Sequence, residues 1–198
     1  MSDPRHAPVA NPTMTRPKDD LDSRLQRIRL VACDVDGVLT DGRVVHGDLG
    51  SGGVVELQAF DVTDGAALVW LRRAGLDVVW ISGRGCAATQ KRADELGVRE
   101  LYVRSGPKDV VLRTVQDARE LGPAETLAMG DDLPDLRMRL RAGVFVAPAN
   151  ARPEVKAQAD LVTEAAGGRG AVRELAERLL RARGLWDDLV KSYSRSGE

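Results

Sequence analysis

Five short apolar runs rich in β-branched residues, Ile28 to Cys33, Val78 to Ile81, Leu101 to Val103, Leu127 to Met129 and Val144 to Ala147, alternate with segments that carry helix punctuation. Several of these runs lack the every-second-residue alternation of a half-exposed strand, which suits central strands covered on both faces. Asp64 precedes the helical run from Gly65 to Leu71, with Gly75 behind it. Pro107 stands at a first-turn position before Lys108 to Glu120, and Gly122 closes that segment. Gly97, Gly143 and Gly184 follow three further helical stretches, where a helix favours left-handed backbone. This alternation predicts βαβ units and a doubly wound, Rossmann-like parallel sheet of the α/β class. One segment breaks the rhythm. Between Gly42 and Phe60, Val44-Val45 and Val54 to Leu57 flank a glycine-rich stretch from Gly47 to Gly53, so a β-hairpin flap is expected straight after the first strand. The insertion is too small to be a capping domain.

A chain of 198 residues has room for one such domain, expected over 21–190, without a disulfide or structural metal to hold it. Pro4, Pro8, Pro12 and Pro17 mark residues 1–20 as an N-terminal arm, and residues 191–198 read as a polar tail. Lys and Arg number 29 against 30 Asp and Glu, and this near-balance removes the field that a general nucleic-acid binder needs. The arginines between Val172 and Arg183 do not restore it. Glu174 and Glu177 interrupt them, and Val172, Leu175, Leu179 and Leu180 form the apolar stripe of an amphipathic helix. No run approaches the ~20 apolar residues of a membrane span, and no signal-peptide core is present, so a cytoplasmic protein is expected. Cys33 and Cys86 have no histidine in nucleophile or zinc-site relation to them, and Cys33 reads as a small core residue.

Ligands of open α/β sheets bind outside the carboxyl ends of the strands. Asp34-Val35-Asp36-Gly37 follows the first run, Ser82-Gly83-Arg84 the second, Lys108 opens the helix after the third, and Gly130-Asp131-Asp132 with Asp135 follows the fourth. Asp34, Asp36 and Asp131 brought together repel one another unless a hard cation joins them, and Mg²⁺ suits an oxygen-ligand site that also holds phosphate. Lys108, the Ser82 hydroxyl and the helix-start amides near Gly83 and Arg84 supply donors for a phosphoryl group. One carboxylate can then attack phosphorus, and a second, two positions on, can serve as acid and then base.

These four motifs, in this order, resemble those of the haloacid dehalogenase superfamily of phosphatases, over about residues 28 to 174. The run Asp36 to Gly42, the flap, Phe60 to Gly65 and Gly167 to Glu174 further resemble the 3-deoxy-D-manno-octulosonate 8-phosphate phosphatase family. The resemblance implies a capless, Mg²⁺-dependent phosphomonoesterase acting on an acidic sugar phosphate. It also implies a homotetramer in which flap and tail help to build a neighbour's site. Asp34 would be nucleophile and metal ligand, Asp36 acid/base and a ligand through its carbonyl, and Asp131 the third ligand. Asp132 and Asp135 would orient water and Lys108. Ser82, Gly83 and Lys108 would bind phosphate, Arg84 would contact phosphate or substrate, and Gly168 and Arg169 would lie near the sugar acid's site, where a guanidinium can meet a carboxylate.

Two positions depart from that family: Thr63 where Arg is usual, and Pro107 where an Asn-like residue commonly precedes the lysine. They leave the phosphoryl chemistry untouched and bear on the substrate, so a phosphatase for another sugar phosphate is an alternative. A receiver-type signalling module would place its paired acids first and its phospho-accepting Asp mid-chain, the reverse of the order here. A mutase must shield its intermediate from water, and a hairpin is small cover for that. His46 in the flap reads as exposed, and Trp70, Trp80 and Trp186 as core or interface anchors.

Overall fold

In the computed structural model the described residues are 21–50 and 52–194, so the N-terminal arm and the last residues of the tail lie outside them. The strands are β1 (Leu30–Cys33), β2 (Val45–Asp48), β3 (Val54–Leu57), β4 (Asp77–Ser82), β5 (Glu100–Val103), β6 (Thr126–Met129), β7 (Val144–Ala147) and β8 (Leu161–Val162). The α-helices are α1 (Leu21–Gln26), α2 (Val62–Arg73), α3 (Ala87–Leu96), α4 (Lys108–Asp117), α5 (Leu136–Arg139), α6 (Pro153–Lys156), α7 (Ala171–Ala182) and α8 (Trp186–Ser194).

Successive strand residues feed two separate cores, which is why the central runs carry no polar alternation. Val31, Cys33, Trp80, Leu127, Met129, Val144 and Val146 pack on one face with Leu68 and Leu71 of α2 and Leu175 and Leu179 of α7. Leu30, Ala32, Val79, Ile81, Ala128 and Phe145 pack on the other with Leu112 and Val115 of α4, Met138 of α5 and Val155 of α6. The six-stranded sheet is parallel throughout, in the order β5-β4-β1-β6-β7-β8. Its strand order reverses between β1 and β6, and a doubly wound sheet opens its ligand crevice at that switch point. β2 and β3 form a separate antiparallel hairpin, the expected flap.

Three sequence expectations need correction. Asp64 does not start α2. The N-cap is Asp61, whose Oδ1 accepts the Thr63 N–H at 2.6 Å and the Asp64 N–H at 3.4 Å. Asp64 lies inside the helix and accepts the Gly170 and Arg173 N–H groups, at 3.1 and 2.8 Å, so it caps α7 from across the fold. Gly143 is not a left-handed helix terminator, unlike Gly97 (φ 66°) and Gly184 (φ 69°). It is small because a Cβ there would lie 2.5 Å from the Pro123 carbonyl oxygen. The polar stretch after Trp186 is helical through Ser194, because Trp186 packs edge-on and Tyr193 tilted against Trp70, and Arg173 lies 4.0 Å over the Trp70 ring. Among the described residues no helix is long and apolar enough to cross a membrane.

Candidate active site

β1 and β6 end side by side, with the Asp34 N–H donating to the Met129 carbonyl at 3.0 Å, so Asp34 and Gly130-Asp131 leave the sheet at its switch point. Lys108 reaches them from the first residue of α4. Its Nζ lies 2.5 Å from Asp34 Oδ1 and 2.5 Å from Asp135 Oδ1, and all three side chains are buried. The other oxygen of Asp135 accepts the N–H groups of Asp131 and Asp132, at 2.9 and 3.1 Å. Both Asp135 oxygens are thereby taken up in holding the β6 loop and the ammonium. Asp132 caps the following short 3₁₀ turn through Leu133 N–H at 2.8 Å.

The electrostatics of this group favour a cation. Burial, then Asp135, raises the Asp34 pKa, against the lowering effect of Lys108. Burial, Asp135 and Asp132 push Asp131 up to about 7. Burial pulls Lys108 down, but Asp34 and Asp135 outweigh it and its pKa is raised, so the ammonium persists. Asp131 Oδ1 is buried without a hydrogen-bond partner, a costly state for a carboxylate oxygen. Oxygens of Asp34, Asp131 and Asp135 lie within 4.8 Å of one another. Because Asp135 is saturated by donors, Asp34 and Asp131 are the pair left to meet a hard divalent ion. The close approach depends on Gly37 (φ 93°), where a Cβ would lie 2.1 Å from Asp131 Oδ2.

Asp36 stands beside this cluster rather than in it. Ser82 Oγ, buried at the end of β4, donates to Asp36 Oδ2 at 3.2 Å and accepts the Arg84 N–H at 3.1 Å. Gln58 Nε2, just past β3, donates to Asp36 Oδ1 at 3.0 Å. Arg84 is half exposed, with Nη2 2.8 Å from Glu56 Oε1 on the flap and Nε 4.0 Å from Asp36 Oδ2. Asp34, Asp36, Asp131, Asp132, Asp135, Lys108, Gly83 and Arg84 all line one open cavity of about 500 Å³.

The comparisons with known proteins converge on one family. The haloacid dehalogenase-like hydrolase family matches residues 93–175. The 3-deoxy-D-manno-octulosonate 8-phosphate phosphatase of Yersinia pestis is 38% identical over 164 residues, which cover 83% of this chain and 86% of that one. The chain belongs to this family of haloacid dehalogenase-like phosphatases. Among solved structures, the Yersinia pestis phosphatase has a TM-score of 0.80 at 37% identity, covering 85% of this chain and 89% of its own. The Moraxella catarrhalis enzyme, in complex with magnesium ion, phosphate ion and a KDO molecule, has a TM-score of 0.82 at 32% identity, covering 87% and 97%. A capless Rossmann-like phosphatase hydrolysing phosphoric monoesters is therefore the class of this enzyme.

Within this phosphatase, some expected residues stand elsewhere and some participants went unread. Arg169 is exposed and does not line the cavity, because the loop before α7 is drawn inward by its glycines instead. The Gly168 N–H donates to the Val38 carbonyl at 2.9 Å, and a Cβ on Gly167 would lie 1.8 Å from the Gly37 carbonyl oxygen. The guanidinium that does line the cavity from the C-terminal half is Arg152, at the N-cap of α6, 4.0 Å from Asp132 Oδ1. Asn150 also lines the cavity. Its Nδ2 donates to the Gly37 carbonyl at 2.9 Å and its Oδ1 accepts the Gly167 N–H at 2.6 Å. The Pro-Ala-Asn turn after β7 was the available signal, since Asn is favoured in turns that close on backbone. Cys33 is buried and its thiol is pushed up to about 12 by burial, so it is no nucleophile.

Proposed function

We propose that this phosphatase hydrolyses 3-deoxy-D-manno-octulosonate 8-phosphate, or a closely related acidic sugar phosphate, through an aspartyl phosphate on Asp34. The observation that carries the reading is the buried Asp34–Lys108–Asp135 group beside the unpartnered oxygen of Asp131, at the switch point of the sheet. Asp34 attacks phosphorus. Lys108 opposes the burial and the Asp135 charge that raise the nucleophile's pKa, and it screens the incoming phosphoryl charge, while Asp135 fixes Lys108. Asp36 protonates the leaving oxygen and afterwards takes a proton from the water that hydrolyses the intermediate. Ser82 orients Asp36 and takes the Arg84 N–H, while Gly83 and the Arg84 guanidinium line the cavity as the donors for phosphate. Asp34, the Asp36 carbonyl and Asp131 would hold Mg²⁺, which when bound supplies Lewis-acid neutralisation of the phosphoryl oxygens.

The substrate class rests on the relatives and on the guanidiniums at the rim. Arg84 and Arg152 line the cavity and fit a carboxylate-bearing sugar better than a neutral one. One observation favours a related sugar rather than the octulosonate itself: the Thr63 hydroxyl donates to Asp61 at 2.6 Å inside the α2 cap, so this position offers the substrate no charge. The flap carries exposed Val44, Val45, Leu49, Val54 and Leu57, and this apolar ribbon supports assembly of the expected homotetramer, with flaps against neighbours. Phosphate release with Mg²⁺ across a panel of sugar phosphates, including eight- and nine-carbon keto acids, tests the reading. Turnover confined to acidic sugar phosphates is expected. Neutral hexose phosphates turned over preferentially would overturn the substrate class.

A further inference from the structure

Gln58 lies on the root of the flap, between β3 and α2, and all its polar atoms are engaged in one direction. Its Oε1 accepts the Thr89 hydroxyl at 2.6 Å and the Cys86 thiol at 3.1 Å, while its Nε2 donates to Asp36 Oδ1 at 3.0 Å. Turning the amide over would aim its carbonyl at the Asp36 carboxylate, so the two donors on the far side fix the end that faces Asp36. Thr89 is buried in the first turn of α3. Cys86 holds the N-cap position of the same helix but makes no side-chain cap bond, and its thiol turns to Gln58 instead. A helix that forgoes a Ser, Thr, Asp or Asn cap gives up stability. Here the side chain at that position belongs to a network ending on a carboxylate of the active site.

We infer that Gln58 is a positioning residue for Asp36, held in register by Thr89 and Cys86, so that the acid step depends on the flap root being docked on α3. Asp36 is gripped from two sides. Ser82 ties Oδ2 to the sheet edge and Gln58 ties Oδ1 to the flap. Fixing both oxygens restricts rotation of the carboxyl and aims its remaining lone pairs at the cavity, where the leaving oxygen needs a proton. The inference rests on the role given to Asp36 under the proposed function.

Leaving-group dependence separates this role from a structural one. kcat/KM reports the steps up to phosphorylation of the enzyme. An alkyl phosphate needs its leaving oxygen protonated, whereas p-nitrophenolate leaves without help. Gln58→Leu is expected to lower kcat/KM for 3-deoxy-D-manno-octulosonate 8-phosphate by about 10- to 100-fold, part of the 10²–10⁴ that a positioned acid contributes. The fall for p-nitrophenyl phosphate should be at least several-fold smaller. Thr89→Val, which keeps the shape and removes the donor, is expected to shift the ratio of the two values the same way by a smaller factor, and the ratio is read because lost stability alone lowers both rates equally. Equal losses on both esters, or none, would overturn the inference. An Asp36→Asn enzyme that matched wild type on both esters would instead overturn the role of Asp36 itself.

Discussion

Asn150 holds the Gly37 carbonyl with its side-chain amide at 2.9 Å, joining the turn after β7 to the loop that carries Asp34 and Asp36. The same side chain takes the Gly167 N–H, so two buried glycine backbones from opposite ends of the sequence meet through one partly exposed amide. Removing it leaves a buried carbonyl and a buried N–H without partners. Asn150→Ala is expected to lower stability by about 1–3 kcal/mol and to reduce kcat, through loosening of the loop against which Asp131 packs. Chemical denaturation together with steady-state kinetics checks both. Asn150→Asp, which keeps the acceptor and loses the donor, should fall between wild type and Ala in stability.

The pH dependence of the metal-free protein has a definite sign. The Asp131 carboxyl is raised to about 7 in the fold, and Asp34 is raised as well. A carboxyl with a higher pKa folded than unfolded binds its proton more tightly in the native state, so stability falls as pH rises from the unfolded value through the folded one. The melting temperature in chelator is therefore expected to drop between about pH 4 and pH 8, as Asp131 (about 7) and Asp34 (about 8) lose their protons in the fold. Added Mg²⁺ should reverse the loss, by about 2.7 kcal/mol at a hundredfold excess over its Kd. Melting curves with and without Mg²⁺ at pH 5 and 8 read this out, with the larger Mg²⁺ effect expected at pH 8.

Lys108 compensates two buried carboxylates at once. Lys108→Met keeps the bulk and removes the charge, leaving Asp34 and Asp135 to repel each other. A stability loss of about 3–5 kcal/mol is expected, smaller at acid pH where one carboxyl takes a proton. Activity should fall at every pH. Parallel melts of Lys108→Met and the Lys108→Met/Asp135→Asn pair check the cause, since the second change should recover part of the loss.

How far the sequence could be read depended on the range of each interaction. The strands, the flap and the acids at the strand exits announce themselves locally, through apolar runs and turn residues a few positions apart. Asp64 shows the limit. An Asp before Gly65 and an apolar run reads as an N-cap, and only the packing of α2 against α7 reveals that it serves Gly170 and Arg173. Asn150 and Gln58 make their contacts over long sequence separations and leave no periodic trace. Arg169 is expected at the site from the resemblance around Gly168, and Arg152 carries no motif; the inward pull of Gly167 and Gly168 and the α6 cap decide that Arg152 lines the cavity.

Asp64→Ala follows from that limit as a separate expectation. Loss of the cap should cost about 0.5–2 kcal/mol of stability. Hydrogen exchange should quicken at the Gly170 and Arg173 amides rather than at the start of α2. Faster exchange at Thr63 and Asp64 alone would contradict the assignment of the cap.

The central claim is that Asp34 carries the phosphoryl group, and mass spectrometry of acid-quenched enzyme tests it most directly. Wild type and Asp36→Asn are to be quenched during reaction with acetyl phosphate, whose leaving group needs no acid, and the modified peptide mapped. The expected result is phosphate on Asp34 in both, with more in Asp36→Asn because the water-activating step is impaired, and no turnover in Asp34→Asn. Wild-type turnover with Asp34 unlabelled, together with full activity in Asp34→Asn, would contradict it.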